Sequence, residues 1–127
     1  MALILDTNSV SALFAGDTAV AEILSTEDRH HLPVIVIGEY RYGLARSRHR
    51  GRLGRLVDLL IQESIVLPVD LDTTPHYAGV REHLRVRGRP IPENDVWIAA
   101  LARQYDLPIV SRDDHFDQVD GLRRLSW

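Results

Sequence analysis

The fold is decided by the stretch Ala2-Leu3-Ile4-Leu5-Asp6-Thr7-Asn8, in which an unbroken apolar run ends at an aspartate. Four apolar residues without alternation are typical of a strand that is buried on both faces, as in the centre of a parallel sheet. A carboxylate directly after such a strand lies where open α/β sheets form their ligand crevices. Aspartate is also a preferred helix N-cap, so this stretch alone is consistent with a site residue and with a cap.

The composition is that of an ordinary globular protein, with 45% hydrophobic and 26% charged residues. A length of 127 residues predicts one domain, spanning residues 1–127. No apolar run approaches the ~20 residues that span a bilayer, and the first residues lack a basic region and a cleavage site. We therefore expect a cytoplasmic protein with no membrane contact. Cysteine is absent, which excludes disulfides and thiolate metal sites, and lysine is absent too.

Predicted strands and helices alternate along the chain. The strands are predicted at residues 2–5, 32–37, 65–69, 107–111 and 122–127, with a loop at 27–31. The helices are predicted at 9–14 (opened by Thr7 and Asn8), 19–24, 38–45, 50–63, 73–86 and 93–105. Within 32–37 the point at which strand changes to helix stays open, because short apolar runs fit both. The alternation predicts a parallel sheet with helices on both faces.

Acidic residues follow two of the predicted strands and begin one helix. Asp6 and Asp113 come after strands whose carboxyl ends meet at one edge of the sheet, and Asp95 lies in the first turn of a helix. Glu39 stands among apolar residues, where a charge is costly unless it is paired or bound to a metal. Each acid alone is also consistent with a cap, a salt bridge or a solvated loop. Together, and without lysine partners, they predict a divalent cation, and oxygen ligands favour Mg²⁺ or Mn²⁺ over zinc.

Four segments together resemble the PIN-domain ribonucleases, in particular the VapC-type toxins of prokaryotic toxin–antitoxin pairs. They are LDTN at 5–8, GEYRYG at 38–43, NDVWIAALA at 94–102 and PIVSRDDHF at 108–116, and the short ending at 121–127 is also similar. The resemblance covers the whole chain. It implies a PIN-like three-layer α/β fold, with a central, mostly parallel sheet of four to five strands between helices.

The activity implied by this resemblance is metal-dependent endonucleolytic cleavage of RNA. The catalytic residues would be Asp6, Glu39, Asp95 and Asp113, with the three aspartates as Mg²⁺ or Mn²⁺ ligands. Ser111 matches a Thr or Ser that forms a hydrogen bond within the site, and Asn8 matches a polar residue that supports the first aspartate. The family often has an acid where this chain has His115. Asp114 or Asp117 could then supply the outermost ligand, and the sequence leaves open whether Asp114, His115 or Asp117 joins the site.

The partners that the resemblance implies are RNA, a cognate antitoxin that wraps the toxin, and a second copy of the chain in a homodimer. The net charge of −3 alone argues against nucleic acid, but the charges are segregated. A first group of arginines is predicted to bind phosphates, and its members are Arg46, Arg48, Arg50, Arg52 and Arg55. A solvated helix face explains any single member of this group equally well. Arg81 to Arg89 form a second group.

Two enzyme classes with similar acidic sites are excluded by single residues. A response-regulator-like phosphoacceptor requires a late lysine, and this chain has none. A haloacid-dehalogenase-like phosphatase requires a DxD motif, in which Asn8 replaces the second aspartate. A PIN-like domain that binds RNA or protein without cleavage stays the alternative, and the complete set of four acids argues against it.

Overall fold

The computed structural model describes residues 2–26 and 29–127, so residues 27 and 28 of the predicted loop at 27–31 lie outside the described part of the chain. Five strands form one sheet in the order β3-β2-β1-β4-β5, and every neighbouring pair is parallel. The strands are β1 Ile4–Leu5, β2 His31–Pro33, β3 Ile65–Leu67, β4 Ile109–Val110 and β5 Arg124–Leu125. The opening apolar run is thus the central strand, as predicted.

Six α-helices complete the three-layer α/β fold that the sequence predicts. They are α1 Thr7–Phe14, α2 Thr18–Leu24, α3 Val34–Leu44, α4 Arg50–Glu63, α5 Thr74–Arg87 and α6 Glu93–Tyr105. Two short 3-10 helices, Leu71–Thr73 and Asp114–Gln118, precede α5 and follow β4. Helices α4 and α6 begin and end at the predicted residues. In the described part of the chain, no helix is both long and apolar enough to cross a bilayer.

The structure decides where strand changes to helix within residues 32–37, a point that the sequence left open. Strand β2 ends at Pro33, which pairs with Leu67, and α3 begins at Val34. Pro33 has an extended backbone (φ −62°, ψ 139°) and is the N-cap of α3, a position at which its missing N–H loses no hydrogen bond. The earlier start places Glu39 in the second turn of α3. The other predicted strands are each longer than the paired segments in the structure.

The core explains why the central strands hold their ends rigidly. Ile4, Leu5, Ile109 and Val110 are completely buried, which confirms the expectation for a strand covered on both faces. The middle of α6 is equally buried over residues 98–101. Side chains that follow β1 and β4, or that begin α6, therefore project from well-packed elements.

Candidate metal centre

The carboxyl ends of the two central strands place Asp6 beside Ser111. Strands β1 and β4 pair with Leu5 opposite Val110, and the backbone N–H of Asp6 donates to the Val110 carbonyl (3.3 Å). Asp6 is 4% exposed, and it is the N-cap of α1, one of the two roles that the sequence allowed. Its Oδ1 accepts from the Thr7 N–H at the start of α1 (2.8 Å), while its Oδ2 accepts from Ser111 Oγ (2.7 Å). Burial and the nearby charge of Asp113 raise the pKa of Asp6 despite these hydrogen bonds.

The Ser111 hydroxyl joins three segments of the site. Besides donating to Asp6, Ser111 Oγ accepts from the Asp113 N–H (2.9 Å) and from Asn8 Nδ2 (3.2 Å). A hydroxyl has one donor and two acceptor positions, so this buried group is fully satisfied. Asn8 Oδ1 also accepts from the Arg112 N–H (3.2 Å). Asn8 thus contacts Ser111 and the backbone that leads to Asp113, and its effect on Asp6 passes through Ser111.

Asp95 provides the second buried carboxylate from the first turn of α6. It is 8% exposed, and its pKa is raised from 3.8 to about 6, chiefly by burial. Hydrogen bonding from His115 opposes the shift, whereas the charges of Asp6, Asp113 and Glu39 add to it. All four predicted acids therefore interact electrostatically at one end of the sheet.

Glu39 reaches the same place from the second turn of α3. Its Oε1 accepts from Thr7 Oγ1 (3.2 Å), and the Asn94 side chain forms a further hydrogen bond with it. Partial burial and the Asp6 charge raise the pKa of Glu39. Its apolar sequence neighbours indicated a carboxylate enclosed by core residues, but Glu39 is not enclosed in this way. It lies in an open cleft of about 360 Å³ lined by Glu39, Pro92, Glu93, Asn94, Asp95 and Asp113.

His115 contacts two of the acids, Asp95 and Asp113, although the sequence favoured Asp114 and Asp117. Its Nδ1 lies 2.8 Å from Asp113 Oδ1 and 3.2 Å from Asp95 Oδ2. One ligand atom from each of these three residues lies within 4.8 Å of the others. These two acids, above all through the Asp95 hydrogen bond, raise the pKa of His115. The available signal was its position, since no other histidine lies within two residues of a predicted acidic ligand.

The two acids offered as outer ligands lie outside this cluster. Asp114 is exposed and acts on His115 through its charge. Asp117 binds Arg124 with both oxygens (2.9 and 2.7 Å), which lowers the pKa of Asp117. Arg124 also donates to the Ser111 carbonyl (3.2 Å). Asp117 thus holds an arginine against the strand end, and His115 occupies the position beside Asp95.

The donor set fits a divalent cation. Asp6, Glu39 and Asp95 all have raised pKa values, which means that the folded protein disfavours their negative charges in the absence of a compensating cation. Carboxylate oxygens are ordinary ligands of Mg²⁺, and first-row divalent metals also accept an imidazole nitrogen. The arrangement therefore has the chemistry of a metal centre.

The first arginine group surrounds the beginning of α4, where positive charge is unfavourable to the helix. His49 is the N-cap without a side-chain hydrogen bond, and the first turn has no acid. A helix N-terminus carries about half a positive charge, so Arg50 and Arg52 there oppose the helix dipole. Within residues 2–26 and 29–127, no carboxylate lies in salt-bridge distance of Arg46, Arg48, Arg50, Arg52 or Arg55.

The second arginine group is largely neutralised. Arg81 pairs with Glu93 (2.5 Å), Arg85 with Glu82 (2.6 Å), and Arg87 with Asp120 (3.0 Å). These pairs make residues 81–89 a weaker phosphate-binding surface than the start of α4.

Comparison with known proteins gives a consistent set of relatives. The PIN domain model matches residues 3–122. Ribonuclease VapC5 of Mycobacterium tuberculosis is 38% identical over 96 residues, which cover 74% of this chain and 71% of the relative. Among solved structures, DNA-bound VapBC from Salmonella typhimurium superimposes with a TM-score of 0.89 at 25% identity, covering 100% of this chain and 98% of the other. VapBC-5 from Mycobacterium tuberculosis, a member of the VapBC family of toxin–antitoxin systems, superimposes with a TM-score of 0.73 at 28% identity. The match covers 98% of this chain and 96% of the other.

Proposed function

Because the chain belongs to the PIN-domain family, and within it to the VapC ribonucleases, we propose that it is a metal-dependent endoribonuclease and the toxin of a toxin–antitoxin pair. The observation that carries this proposal is the convergence of Asp6, Glu39, Asp95 and Asp113 at one sheet edge. Burial, and to a smaller extent the charges of the other acids, raises the pKa of three of them. A bound cation would offset the cost of ionising these carboxylates next to one another.

In this proposal Asp6, Asp95 and Asp113 hold Mg²⁺ or Mn²⁺, and Glu39 positions the cation or a water molecule at the mouth of the cleft. A divalent cation supplies charge stabilisation at the scissile phosphate and lowers the pKa of a bound water. Ser111 and Asn8 keep Asp6 and the backbone of Asp113 at a constant separation through the hydrogen bonds described above.

The arginines around the start of α4 would bind the RNA backbone. The helix-destabilising placement of Arg50 and Arg52, and the absence of described carboxylate partners for the whole group, support a role outside the fold itself. Arg52 acts electrostatically on Tyr40, the residue next to Glu39 on α3. The acidic cleft repels phosphate by its own charge, so binding of RNA beside it would require positive charge elsewhere on the surface.

The experiment is incubation of the purified protein with total RNA, with EDTA or with added Mg²⁺ or Mn²⁺, followed by mapping of the cut ends. Asp95→Asn should abolish cleavage. Asp106→Asn is the matched control, because Asp106 is the C-cap at the opposite end of α6 and its left-handed backbone (φ 53°) also suits asparagine. Equal cleavage by wild type and Asp95→Asn would contradict the proposed centre.

The partners are proposed on the same basis. VapBC pairs are the solved structures that this chain resembles, so we infer a cognate antitoxin, a homodimer of the toxin and action in the cytoplasm. Light scattering of the isolated protein tests the dimer. A non-cleaving RNA- or protein-binding module is the alternative function. It predicts metal-independent binding of RNA or protein with no new RNA ends in any of the reactions.

A further inference from the structure

We propose that His115 is itself a ligand of the bound cation, through Nδ1, and that it shifts the preference of the centre from Mg²⁺ toward Mn²⁺ and similar first-row divalent metals. This inference rests on the proposed function, because it adds a nitrogen ligand to the same metal centre. It replaces the assumption of an all-oxygen site with a mixed site formed by Asp95, Asp113 and His115.

The spacing of the three ligand atoms supports coordination to a common ion. In an octahedral site with bonds of ~2.1 Å, neighbouring ligands are separated by about 3.0 Å. His115 Nδ1 lies 2.8 Å from Asp113 Oδ1 and 3.2 Å from Asp95 Oδ2. The imidazole is therefore already at the separation of adjacent ligands from both carboxylates.

The backbone of the 3-10 helix Asp114–Gln118 fixes the position of this imidazole. The His115 N–H donates to Asp113 Oδ1 (3.0 Å), so one carboxylate binds both the backbone and the ring of the same residue. Phe116, the next residue, is completely buried and anchors the turn in the core. His115 is thus held beside the cluster by more than its own flexible side chain.

A second histidine provides a useful contrast. His83 also meets a carboxylate, with Nε2 3.5 Å from Asp120 Oδ2, but that carboxylate is 74% exposed and paired with Arg87. The His115 pairing instead brings two carboxylates, one of them buried, around a single ring nitrogen. His83 is therefore the matched control for a histidine that forms a surface ion pair.

The type of ligand atom determines which cation the centre binds more tightly. Mg²⁺ binds oxygen ligands and retains several of its waters, so an imidazole contributes little to its affinity. First-row divalent metals accept imidazole readily, with affinities that rise along the series from Mn²⁺. Coordination requires the neutral ring with its proton on Nε2, which leaves the Nδ1 lone pair free.

The direct test is electron spin-echo spectroscopy of the Mn²⁺-loaded protein prepared with ¹⁵N-labelled histidine. Wild type and His83→Gln should show modulation from a directly coordinated histidine nitrogen that changes with the label, and His115→Gln should lack it. Histidine-nitrogen modulation that persists in His115→Gln, or that is absent from wild type with Mn²⁺ bound, would overturn the proposal.

The second measurement is the affinity for each metal alone, by calorimetry. His115→Gln should weaken Mn²⁺ binding by about tenfold or more, whereas Mg²⁺ binding should change little. His115→Asp, which places an acid at this position, should strengthen Mg²⁺ binding and lower the Mn²⁺/Mg²⁺ affinity ratio. An unchanged ratio in both variants would overturn the inference while leaving the ribonuclease intact. Failure of the proposed function looks different, because wild type would then neither bind metal through Asp95 nor cut RNA.

Discussion

Ser111 Oγ donates a 2.7 Å hydrogen bond to Asp6 Oδ2, which links the ends of the two central strands across 105 positions of sequence. The bond runs between two buried groups, one of them a carboxylate. Hydrogen bonds to charged groups contribute about 1.5–3 kcal/mol, more than neutral ones. The same hydroxyl accepts the N–H of Asp113, so it sets the separation of two proposed metal ligands.

Ser111→Ala should therefore lower both stability and activity. The change removes the donor to Asp6 and leaves the Asp113 N–H and Asn8 amide without their shared acceptor. We expect the free energy of unfolding to fall by about 1–3 kcal/mol in urea titrations. Ser111→Thr is the control, because it keeps the hydroxyl, and it should retain most of the cleavage rate. If the alanine variant cuts RNA at the wild-type rate, the hydroxyl has no positioning role.

The sequence alone was sufficient for the central strand and for the convergence of the acids, for an identifiable reason. An unbroken apolar run predicts burial on both faces, and parallel strands place their carboxyl ends at one edge, so Asp6 and Asp113 had to approach each other. Helix α4 was predicted to its ends because its apolar residues recur at helical spacing, and Val57 and Leu60 are indeed buried.

What the sequence could not predict depended on tertiary contacts. Residues 34–37 fit a strand or a helix equally, and only the pairing of β2 with β3 up to Pro33 decides between them. The roles of His115 and Asp117 depend on which side of a 3-10 turn each side chain occupies. His115 faces Asp95, whereas Asp117 faces Arg124, and residue spacing in a short irregular turn does not specify this.

Asp95→Asn should alter how stability depends on pH in the metal-free protein. The folded-state pKa of Asp95 is about 6 and its ordinary value is 3.8, so its contribution is fully present below pH 3.8 and is lost as the pH rises through 6. The asparagine variant lacks this loss. Its free energy of unfolding, relative to that of wild type, should therefore rise by up to about 3 kcal/mol between pH 4 and 7. Urea titrations of both proteins at several pH values measure the difference. A constant difference would mean that Asp95 ionises normally.

Metal binding should release protons near pH 6. The cation requires ionised carboxylates, and Asp95 is only about half ionised at that pH. We expect the affinity for Mn²⁺ to rise from pH 5 upward, first through the ionisation of Asp95 and then through His115, whose pKa is raised and whose ring must be neutral to bind the cation. At a cation concentration 100 times its dissociation constant, the folded state should gain about 2.7 kcal/mol. Calorimetry in buffers of different ionisation enthalpy counts the released protons, and Asp106→Asn should behave as wild type.

The arginines at the start of α4 should determine the salt dependence of RNA binding. In an Asp95→Asn background, replacing Arg48 and Arg52 by Gln removes two proposed phosphate contacts. The slope of log affinity against log salt should then flatten by about 1.4, since each contact to a single strand contributes about 0.7. Filter binding at salt concentrations from about 50 to about 200 mM gives the slope. The control replaces Arg85 and Arg87, whose charges are already paired. A larger change of slope in the control would mean that residues 81–89 bind the RNA phosphates instead.

The proposed antitoxin should compete with the metal. The resemblance to VapC-type pairs implies an antitoxin segment that places a basic side chain in the acidic site. A guanidinium offers Asp95 and Asp113 a charge and paired N–H donors in place of a cation, and the cleft of about 360 Å³ is open to solvent. Adding Mn²⁺ to the co-purified complex should therefore weaken inhibition of RNA cleavage in proportion to occupancy of the centre. Inhibition that stays constant over a wide range of Mn²⁺ concentrations would mean that the antitoxin blocks the RNA path at the start of α4. Replacing Arg48 and Arg52 would then weaken the complex, whereas under direct competition Asp95→Asn would weaken it instead, because the inserted base would lose one of its two carboxylates.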